Sequence, residues 1–290
     1  MSSEAINDRL KQYWILARFD KPIGILILLW PALWALWVAS DGKPDLFVLF
    51  IICSGVVLMR AAGCVINDYA DRDFDPHVER TKQRPIAAGK VSPKEALIVF
   101  VTLCLTAFVL VLQLNMMTIM LSFIAAFLAA SYPFMKRYTQ LPQAYLGIAF
   151  GFAVPMSFSA QINTIPVVAW VMYLAVMLWA LVYDTMYAMV DKDDDLKIGV
   201  KSTAILFGDW DREIMAVLQV IIIVLLIAIG QLQQLGVFYY AGVGVAIALS
   251  IYQQKLIFNR DKILCFKAFL NSNYFGLAIF VGLVLDYAIK

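Results

Sequence analysis

The chain has 290 residues, of which 62% are hydrophobic and only 15% are charged, and its mean hydropathy is +0.80. This balance excludes an ordinary soluble domain and indicates a protein of the lipid bilayer. The net charge of +2 comes without a patterned basic and aromatic surface, so nucleic acid is not an expected partner.

Residues 1–21 have mixed charge and lack the short apolar core and the small-residue cleavage site of a removable signal peptide. After them, apolar runs of about 20 residues recur, the length at which a helix crosses a bilayer. No soluble domain interrupts these runs, so we expect one domain over residues 1–290. The runs predict about nine transmembrane helices, at residues 22–40, 46–66, 95–114, 116–134, 143–161, 166–189, 213–231, 236–254 and 266–288.

The second predicted span ends in an acidic cluster that begins at Asn67. If the chain continues as a helix, Asp68, Asp71 and Asp75 lie within about 60° of one another, whereas Asp73 points the opposite way. A charged helix end after a membrane span is the structural alternative for any one such cluster.

The sixth predicted span ends in a second acidic cluster, at residues 184–195. Its side chains Asp184, Tyr187, Asp191 and Asp195 share one helical stripe, and Asp193 lies on the far side. Hard carboxylate oxygens in paired short motifs suit Mg²⁺, which is usually completed by substrate phosphates. Carboxylates at a membrane surface therefore predict a membrane-embedded site for a diphosphate.

The two clusters recur after four helices, because they follow the second and the sixth predicted spans. This spacing predicts an all-α protein of two four-helix halves around a central cavity, plus a ninth helix. In membrane proteins built from repeats, the site commonly lies between the repeats. The two acidic faces are therefore expected to meet across the cavity.

Positive charge predicts the orientation in the membrane. With the N-terminus on the cytoplasmic side, nearly all of the 23 lysines and arginines fall in cytoplasmic segments. Only Lys43 and Lys290 lie outside, and Arg60 lies within the second span. Both acidic clusters are therefore expected to face the cytoplasm.

The motifs Asn67-Asp68-x-x-Asp71-x-x-x-Asp75 and Asp191-x-x-x-Asp195 resemble the paired aspartate motifs of the intramembrane aromatic prenyltransferases, the UbiA superfamily. The aspartate motifs point to the superfamily as a whole. The likeness extends over nearly the full length and is closest to the bacterial 4-hydroxybenzoate polyprenyltransferases of ubiquinone biosynthesis. It includes the stretches at residues 18–24, 58–63, 132–137 and 201–204.

The resemblance implies an enzyme of the bacterial cytoplasmic membrane that uses Mg²⁺. It implies metal ligation by Asp68, Asp71, Asp75, Asp191 and Asp195. The metal ions would neutralise the leaving diphosphate of a polyprenyl donor, and the ring carbon ortho to the phenol of 4-hydroxybenzoate would then attack the allylic cation. The groups expected to be catalytic are Asp71, Asp191 and Arg137.

Substrate contacts follow from the same resemblance. Asn67 can offer an amide oxygen to a metal or a water, and Lys136, with Arg72 or Lys201 as alternatives, can donate to the phosphates. The π faces of three tyrosines can line the path of the cation, although aromatic packing explains them equally well. These are Tyr132, Tyr183 and Tyr187.

The carboxylate of the acceptor needs its own cation. Arg60 is a functional candidate because an unpaired guanidinium is costly within a span, and it lies two turns before Asn67 on the same face. Pairing with a neighbouring helix is the structural alternative. Arg18 and Arg137 are further candidates, although topology alone also favours arginine at these membrane edges.

Two alternatives remain open. A different superfamily member would share the aspartate motifs but prenylate a naphthoate, haem or chlorophyllide acceptor. A metal-ion transporter would use the acidic clusters as its site, but it would need carboxylates at mid-membrane. Membrane lipid is an expected partner, and the sequence indicates no obligate protein partner.

Overall fold

The computed structural model describes residues 3–78 and 80–290, which form helices joined by short segments, without a strand. The predicted all-α class is confirmed. Two 3₁₀ turns, Asp75–His77 and Gly208–Trp210, lie after α3 and before α10. The α-helices are α1 Ser3–Leu16, α2 Ile23–Ala39, α3 Leu46–Ala70, α4 Pro93–Val111, α5 Met116–Tyr138, α6 Pro142–Gly151, α7 Ala153–Ile162, α8 Val167–Ile198, α9 Thr203–Leu206, α10 Asp211–Leu232, α11 Val237–Leu256 and α12 Lys262–Ile289.

Each predicted span coincides with helix, but the count of nine membrane spans is not confirmed. Seven helical segments in the described ranges are long and apolar enough to cross a membrane, with α6 and α7 counted together as Pro142–Ile162. The helix α2 has only 17 residues, and the 20-residue α11 is not among the seven.

The predicted span at residues 143–161 is divided at Phe152 into α6 and α7. Pro155 explains the division, because a proline lacks the N–H that would bond to the carbonyl of Gly151, and its ring crowds that carbonyl. A break in the helix results within the wall of the bundle.

Helices begin where a side chain satisfies the free N–H groups of the first turn. Asp45 accepts hydrogen bonds from the backbone of Phe47 and Val48 at 2.8 and 3.0 Å and so starts α3. Asp261 accepts from the backbone of Leu264 at 2.9 Å and starts α12. These caps fix the entry points of two helices that line the site described below.

The densest packing surrounds α8. Trp179 of α8 lies between Trp34 of α2 and Phe275 of α12, with ring centroids 5.7 and 5.6 Å apart. In contrast, α4 and α5 bury only a small part of their surface and leave Phe123 and Phe127 exposed for contact with lipid. The bundle is therefore most deeply buried around α8, whereas α4 and α5 lie at its periphery.

The backbone differs between the two acidic clusters. The expected helical continuation is wrong for the first cluster, because α3 ends at Ala70 and the chain turns into the 3₁₀ turn at Asp75. It is correct for the second cluster, since α8 runs unbroken for 32 residues to Ile198. A left-handed Gly199, with φ of +73°, ends α8 as glycine commonly ends helices.

Candidate active site

A cavity of about 740 Å³ lies within the bundle and has a largely apolar wall. Its lining comes from α2 to α8, from α12 and from several of the segments that connect the helices, whereas no described residue of α10 or α11 contributes. Polar side chains line it near the acidic clusters, among them Asn67, Asp68, Arg80, Asp184 and Tyr187. A large apolar cavity with a few convergent charged groups suits an apolar ligand with an anionic head group.

The first motif, defined as Asp68, Asp71 and Asp75, is buried and neutralised by the chain's own cations. Asp68 accepts hydrogen bonds from Nη2 of Arg18 at 2.8 and 2.9 Å. Nη1 of Arg84 lies 3.1 Å from Asp68 and donates to Asp75 at 3.0 and 3.1 Å. Arg84 therefore bridges the first and the last aspartate of the motif.

Burial raises the pKa of Asp75, although the guanidinium of Arg84 opposes that shift. The pKa of Arg84 is itself raised, because the carboxylates of Asp68 and Asp75 outweigh the lowering effect of its burial. This arrangement depends on the turns after α3, which keep the carboxylates of Asp71 and Asp75 on the same side of the chain as that of Asp68. Arg18 contributes from a left-handed residue with φ of +59°, between α1 and α2, which is uncommon for a residue other than glycine.

Asp71 occupies the middle of the first motif. One of its oxygens, Oδ2, forms an ion pair with Nζ of Lys136 on α5. The other, Oδ1, is buried and has no hydrogen-bond partner. Because a buried carboxylate oxygen normally has a partner, Oδ1 is suited to receive a further cation or donor.

The second motif, defined as Asp191 and Asp195, projects from the C-terminal third of α8. Nε and Nη2 of Arg80 hold the carboxylate of Asp191 at 2.9 and 2.5 Å. The same guanidinium lies 4.7 Å from the ring centroid of Tyr187 and donates to its hydroxyl group. Since Arg80 follows the first motif in the chain, it connects the two motifs.

The helical stripe separates inward from outward carboxylates in this motif. Asp195 is half-buried, one turn after Asp191. Asp193 has a side chain 66% exposed and pairs with Lys262 at 2.9 Å. Asp184, on the inner stripe, lines the cavity.

The chemistry of the two motifs fits Mg²⁺. In the described part of the chain, no three His, Cys, Asp or Glu side chains converge as a ready-made metal site. Each of four motif carboxylates has a lysine or arginine beside it. The unpartnered Oδ1 of Asp71 and the all-oxygen donor set nevertheless match the hard ligands that Mg²⁺ prefers.

Besides Asp68 and Tyr187, four predicted site residues line the cavity: Arg18, Arg60, Asn67 and Tyr132. Nη1 of Arg60 donates to Sγ of Cys64, and Nε of Arg60 is buried without a hydrogen-bond partner. An arginine with an unused buried donor in a cavity wall is a candidate for binding an anionic ligand.

Seven predicted site residues lie outside the cavity lining. Five of them, Asp71, Asp75, Lys136, Asp191 and Asp195, form the motifs or pair with them, whereas Arg137 and Lys201 contact backbone carbonyls. Nη2 of Arg137 donates to the carbonyl of Ala70 at 2.5 Å, and the guanidinium lies 5.4 Å from the ring centroid of Phe74. Nζ of Lys201 donates to the carbonyl of Tyr138 at 3.3 Å. In this structure Arg137 binds the end of α3, and Lys201 binds the end of α5.

Sequence reasoning missed Arg80 and Arg84 as site residues. Both lie in the polar segment after the first cluster, and their charges are equally well explained by the cytoplasmic position of that segment. Their i, i+4 spacing was the available signal, because on one helical turn it would direct both side chains the same way. Asp184 was placed on the acidic stripe but not assigned to the site.

The fold and the cavity define an integral membrane protein whose interior suits an apolar substrate with an anionic head group. The chain belongs to the UbiA prenyltransferase family, whose profile matches residues 28–279. This membership favours a prenyltransferase over a metal-ion transporter.

Full-length relatives are similar to this chain. The 4-hydroxybenzoate octaprenyltransferase of Methylococcus capsulatus (strain Bath) is 64% identical over 283 residues, which are 98% of this chain and 97% of the relative. The 4-hydroxybenzoate octaprenyltransferase of Alkalilimnicola ehrlichii is 57% identical over 286 residues, with 99% and 98% coverage.

Solved structures share the fold. A UbiA homologue from Aeropyrum pernix K1, in its apo form, superposes with a TM-score of 0.80 at 25% identity and covers 91% of this chain and 97% of the homologue. A homologue from Archaeoglobus fulgidus, bound to GPP and Mg²⁺, has a TM-score of 0.72 at 18% identity, with 94% and 99% coverage. The second likeness concerns the fold alone.

Proposed function

We propose that this chain transfers a polyprenyl group from polyprenyl diphosphate to 4-hydroxybenzoate in ubiquinone biosynthesis, with Mg²⁺ as cofactor. The whole chain, residues 1–290, forms the catalytic domain. It lies in the bacterial cytoplasmic membrane, with its N-terminus and both motifs on the cytoplasmic side. Support comes from a largely apolar cavity lined by Asp68 of the first motif and by Asp184 and Tyr187 of the second acidic cluster, and from relatives of that activity that are 57–64% identical over nearly the full chain.

The donor binds with its diphosphate between the two motifs and its prenyl chain in the apolar cavity. Mg²⁺ bound by Asp68, Asp71, Asp75, Asp191 and Asp195 would neutralise the charge of the leaving diphosphate. Asp71 contributes Oδ1, which has no hydrogen-bond partner among the described residues.

Two cations beside the motifs, Lys136 and Arg80, donate to the phosphates. Lys136 and Arg80 are already held beside Asp71 and Asp191, so a small shift of either side chain reaches an anion between the motifs. Arg84 bridges the two ends of the first motif and keeps its carboxylates on one side. Lys201 supports the end of α5 near Lys136.

The acceptor carboxylate binds at Arg60. Of the three arginines considered from the sequence, Arg18 is engaged with Asp68 and Arg137 with the end of α3. Arg60 lines the cavity and retains an unused donor, Nε. Asn67 lies two helical turns from Arg60, so acceptor and donor head groups meet along one face of α3.

The reaction then needs few covalent contributions from the protein. The bond between the allylic carbon and the diphosphate oxygen breaks, and the electron pair leaves with diphosphate. The ring carbon ortho to the phenol forms the new bond, and a proton leaves that carbon to restore aromaticity. The rings of Tyr132 and Tyr187 line the path of the cation, where their π faces favour positive charge.

The test uses purified protein, a polyprenyl diphosphate, Mg²⁺ and 4-hydroxybenzoate, with mass spectrometry of the lipid extract. The expected product is a ring-prenylated 4-hydroxybenzoate. Excess EDTA should abolish its formation and added Mg²⁺ should restore it, because Mg²⁺ would hold the diphosphate to the carboxylate oxygens and neutralise its charge as it leaves. Undiminished turnover in EDTA would contradict the proposal that the enzyme requires Mg²⁺. Preference for a naphthoate over 4-hydroxybenzoate would contradict the proposed acceptor.

A further inference from the structure

The guanidinium of Arg60 lies against the first turn of α2, where Gly24 leaves room for it. A Cβ atom added at Gly24 would lie 2.7 Å from Nε of Arg60 and 2.8 Å from Cζ, and closer still to Nη2. Both nitrogens would be nearer than Cζ, so the added carbon would meet the edge of the planar group and not its face. Only glycine at residue 24 is compatible with this position of Arg60.

The remaining contacts of Arg60 hold its side chain in position but leave one of its hydrogen-bond donors unused. Nη1 donates to Sγ of Cys64, one turn later on α3. Nε is buried without a hydrogen-bond partner. Asp184 and Tyr183 on α8 interact with the guanidinium electrostatically. The side chain therefore depends on clearance at α2 for its position and has a donor, Nε, that no group in the described part of the chain accepts from.

We propose that Gly24 is a positioning residue that sets the selectivity of the enzyme for an acceptor bearing a carboxylate. Its missing side chain lets Arg60 lie against α2. A methyl group at residue 24 would displace the guanidinium and misalign it with the acceptor carboxylate. This role rests on the proposed function, in which Arg60 binds that carboxylate.

The cost of the substitution falls on Arg60 and not on the fold. The atoms that the new methyl group would meet are the far end of a long flexible side chain, which can move. At Gly147, in contrast, an added Cβ would meet the backbone carbonyl of Met177. At Gly244 of α11, outside the cavity lining, it would meet no atom within 4 Å. Substitution by alanine should therefore shift one side chain at Gly24, disturb backbone packing at Gly147 and change nothing at Gly244.

The experiment measures KM for 4-hydroxybenzoate and for the polyprenyl diphosphate in wild type, Gly24→Ala, Gly244→Ala, Gly147→Ala, Arg60→Ala and Arg60→Lys. In Gly24→Ala the acceptor KM should rise roughly 10- to 100-fold, because a misplacement of about 1 Å at a reacting centre has effects of this size. The donor KM should stay within about twofold, since the aspartate motifs are not touched. Gly244→Ala should change neither constant.

Two further arms separate positioning from structure. Adding Gly24→Ala to Arg60→Lys should have less effect than adding it to wild type, because lysine has no planar fork to displace. For methyl 4-hydroxybenzoate, which has no carboxylate, wild type and Gly24→Ala should have equal KM values. Equal loss of use of the acid and of the ester in Gly24→Ala would overturn the inference.

Other outcomes identify which statement fails. A wild-type acceptor KM in Gly24→Ala, with a raised one in Arg60→Ala, overturns the role of Gly24 and keeps that of Arg60. A wild-type acceptor KM in Arg60→Ala removes the acceptor site from Arg60, and the role of Gly24 with it. If Gly24→Ala loses folded protein as Gly147→Ala is expected to do, residue 24 is structural.

Discussion

The two acidic motifs place carboxylates at similar spacing on different backbones. In the first motif, the helix has ended before Asp71, and its carboxylates are buried among Arg18, Arg84 and Lys136. In the second, the carboxylates stand on an unbroken helix, and Asp191 is held by the single guanidinium of Arg80. The first motif is a closed network of ion pairs, and the second is a more open acidic face.

This difference indicates a division of labour between the motifs. A network of several buried ion pairs resists rearrangement, because removing one partner leaves another charge uncompensated. A single ion pair on a partly exposed face exchanges its partner more readily. We therefore expect substitutions in the first motif to affect both activity and stability, and substitutions in the second to affect mainly activity.

The largest effect is expected at Asp71. In Asp71→Ala, turnover should fall about 100-fold or more, since electrostatic groups at a reacting diphosphate contribute on this scale. The variant should also unfold more readily, because Lys136 would lose its ion-pair partner. Turnover assays and thermal unfolding in detergent measure the two effects.

Asp73→Ala is the matched control for that variant, since Asp73 has a side chain 70% exposed and lies 3.6 Å from Arg72. It should retain turnover within about twofold of wild type, as expected for an exposed pair. Equal inactivity of the two variants would mean that side-chain direction in this turn differs from the structure.

The second-largest effect is expected at Asp191, in the second motif. Asp191→Ala should lose turnover about 100-fold but keep the wild-type unfolding temperature within a few degrees, because Arg80 can reach solvent. Asp193→Ala, two residues away and turned outward, should behave as wild type in both assays. A loss of stability in Asp191→Ala as large as that in Asp71→Ala would remove the distinction between the two motifs.

The smallest expected effect is the change in Mg²⁺ requirement in Arg80→Gln, measured at saturating donor because this variant also loses a contact to the phosphates. Arg80→Gln removes the cation that competes with Mg²⁺ for Asp191, so the Mg²⁺ concentration for half-maximal turnover should fall roughly fivefold, equivalent to about 1 kcal/mol for a partly exposed pair. A metal titration at saturating donor measures it. Lys197→Gln, which removes an exposed pair with Asp194 nearby, should leave the titration unchanged. An increased requirement for Mg²⁺ in Arg80→Gln would show that Arg80 assists the metal.

The sequence predicts much of the fold because apolar runs of membrane length are a local signal. It also predicts which carboxylates turn inward. Asp68, Asp71 and Asp75 are 1 to 5% exposed although the backbone leaves the helix at Ala70, because the turns that follow keep them on the side that helical spacing gives. The end of α3 at Ala70 could not be predicted in the same way, because no proline or glycine lies next to it in the sequence.

The partners of these carboxylates could not be predicted. Arg80 reaches Asp191, which lies 111 residues later in the chain, and the contact depends on how the loop after α3 folds over α8. A local pattern contains no information about such a pairing. The positions of Arg137 and Lys201 outside the cavity lining depend in the same way on the tertiary path of neighbouring backbone.

The internal pairing of the motif carboxylates also bears on how the protein is made. Many small metal sites cannot form until the ion arrives, since ligand repulsion keeps the chain unfolded without it. Here Arg18, Arg80, Arg84 and Lys136 act as built-in counter-ions, so the chain can insert and pack with these charges already compensated. Assembly in the membrane and loading with metal are thereby separate events, and a cell short of magnesium would still accumulate folded protein.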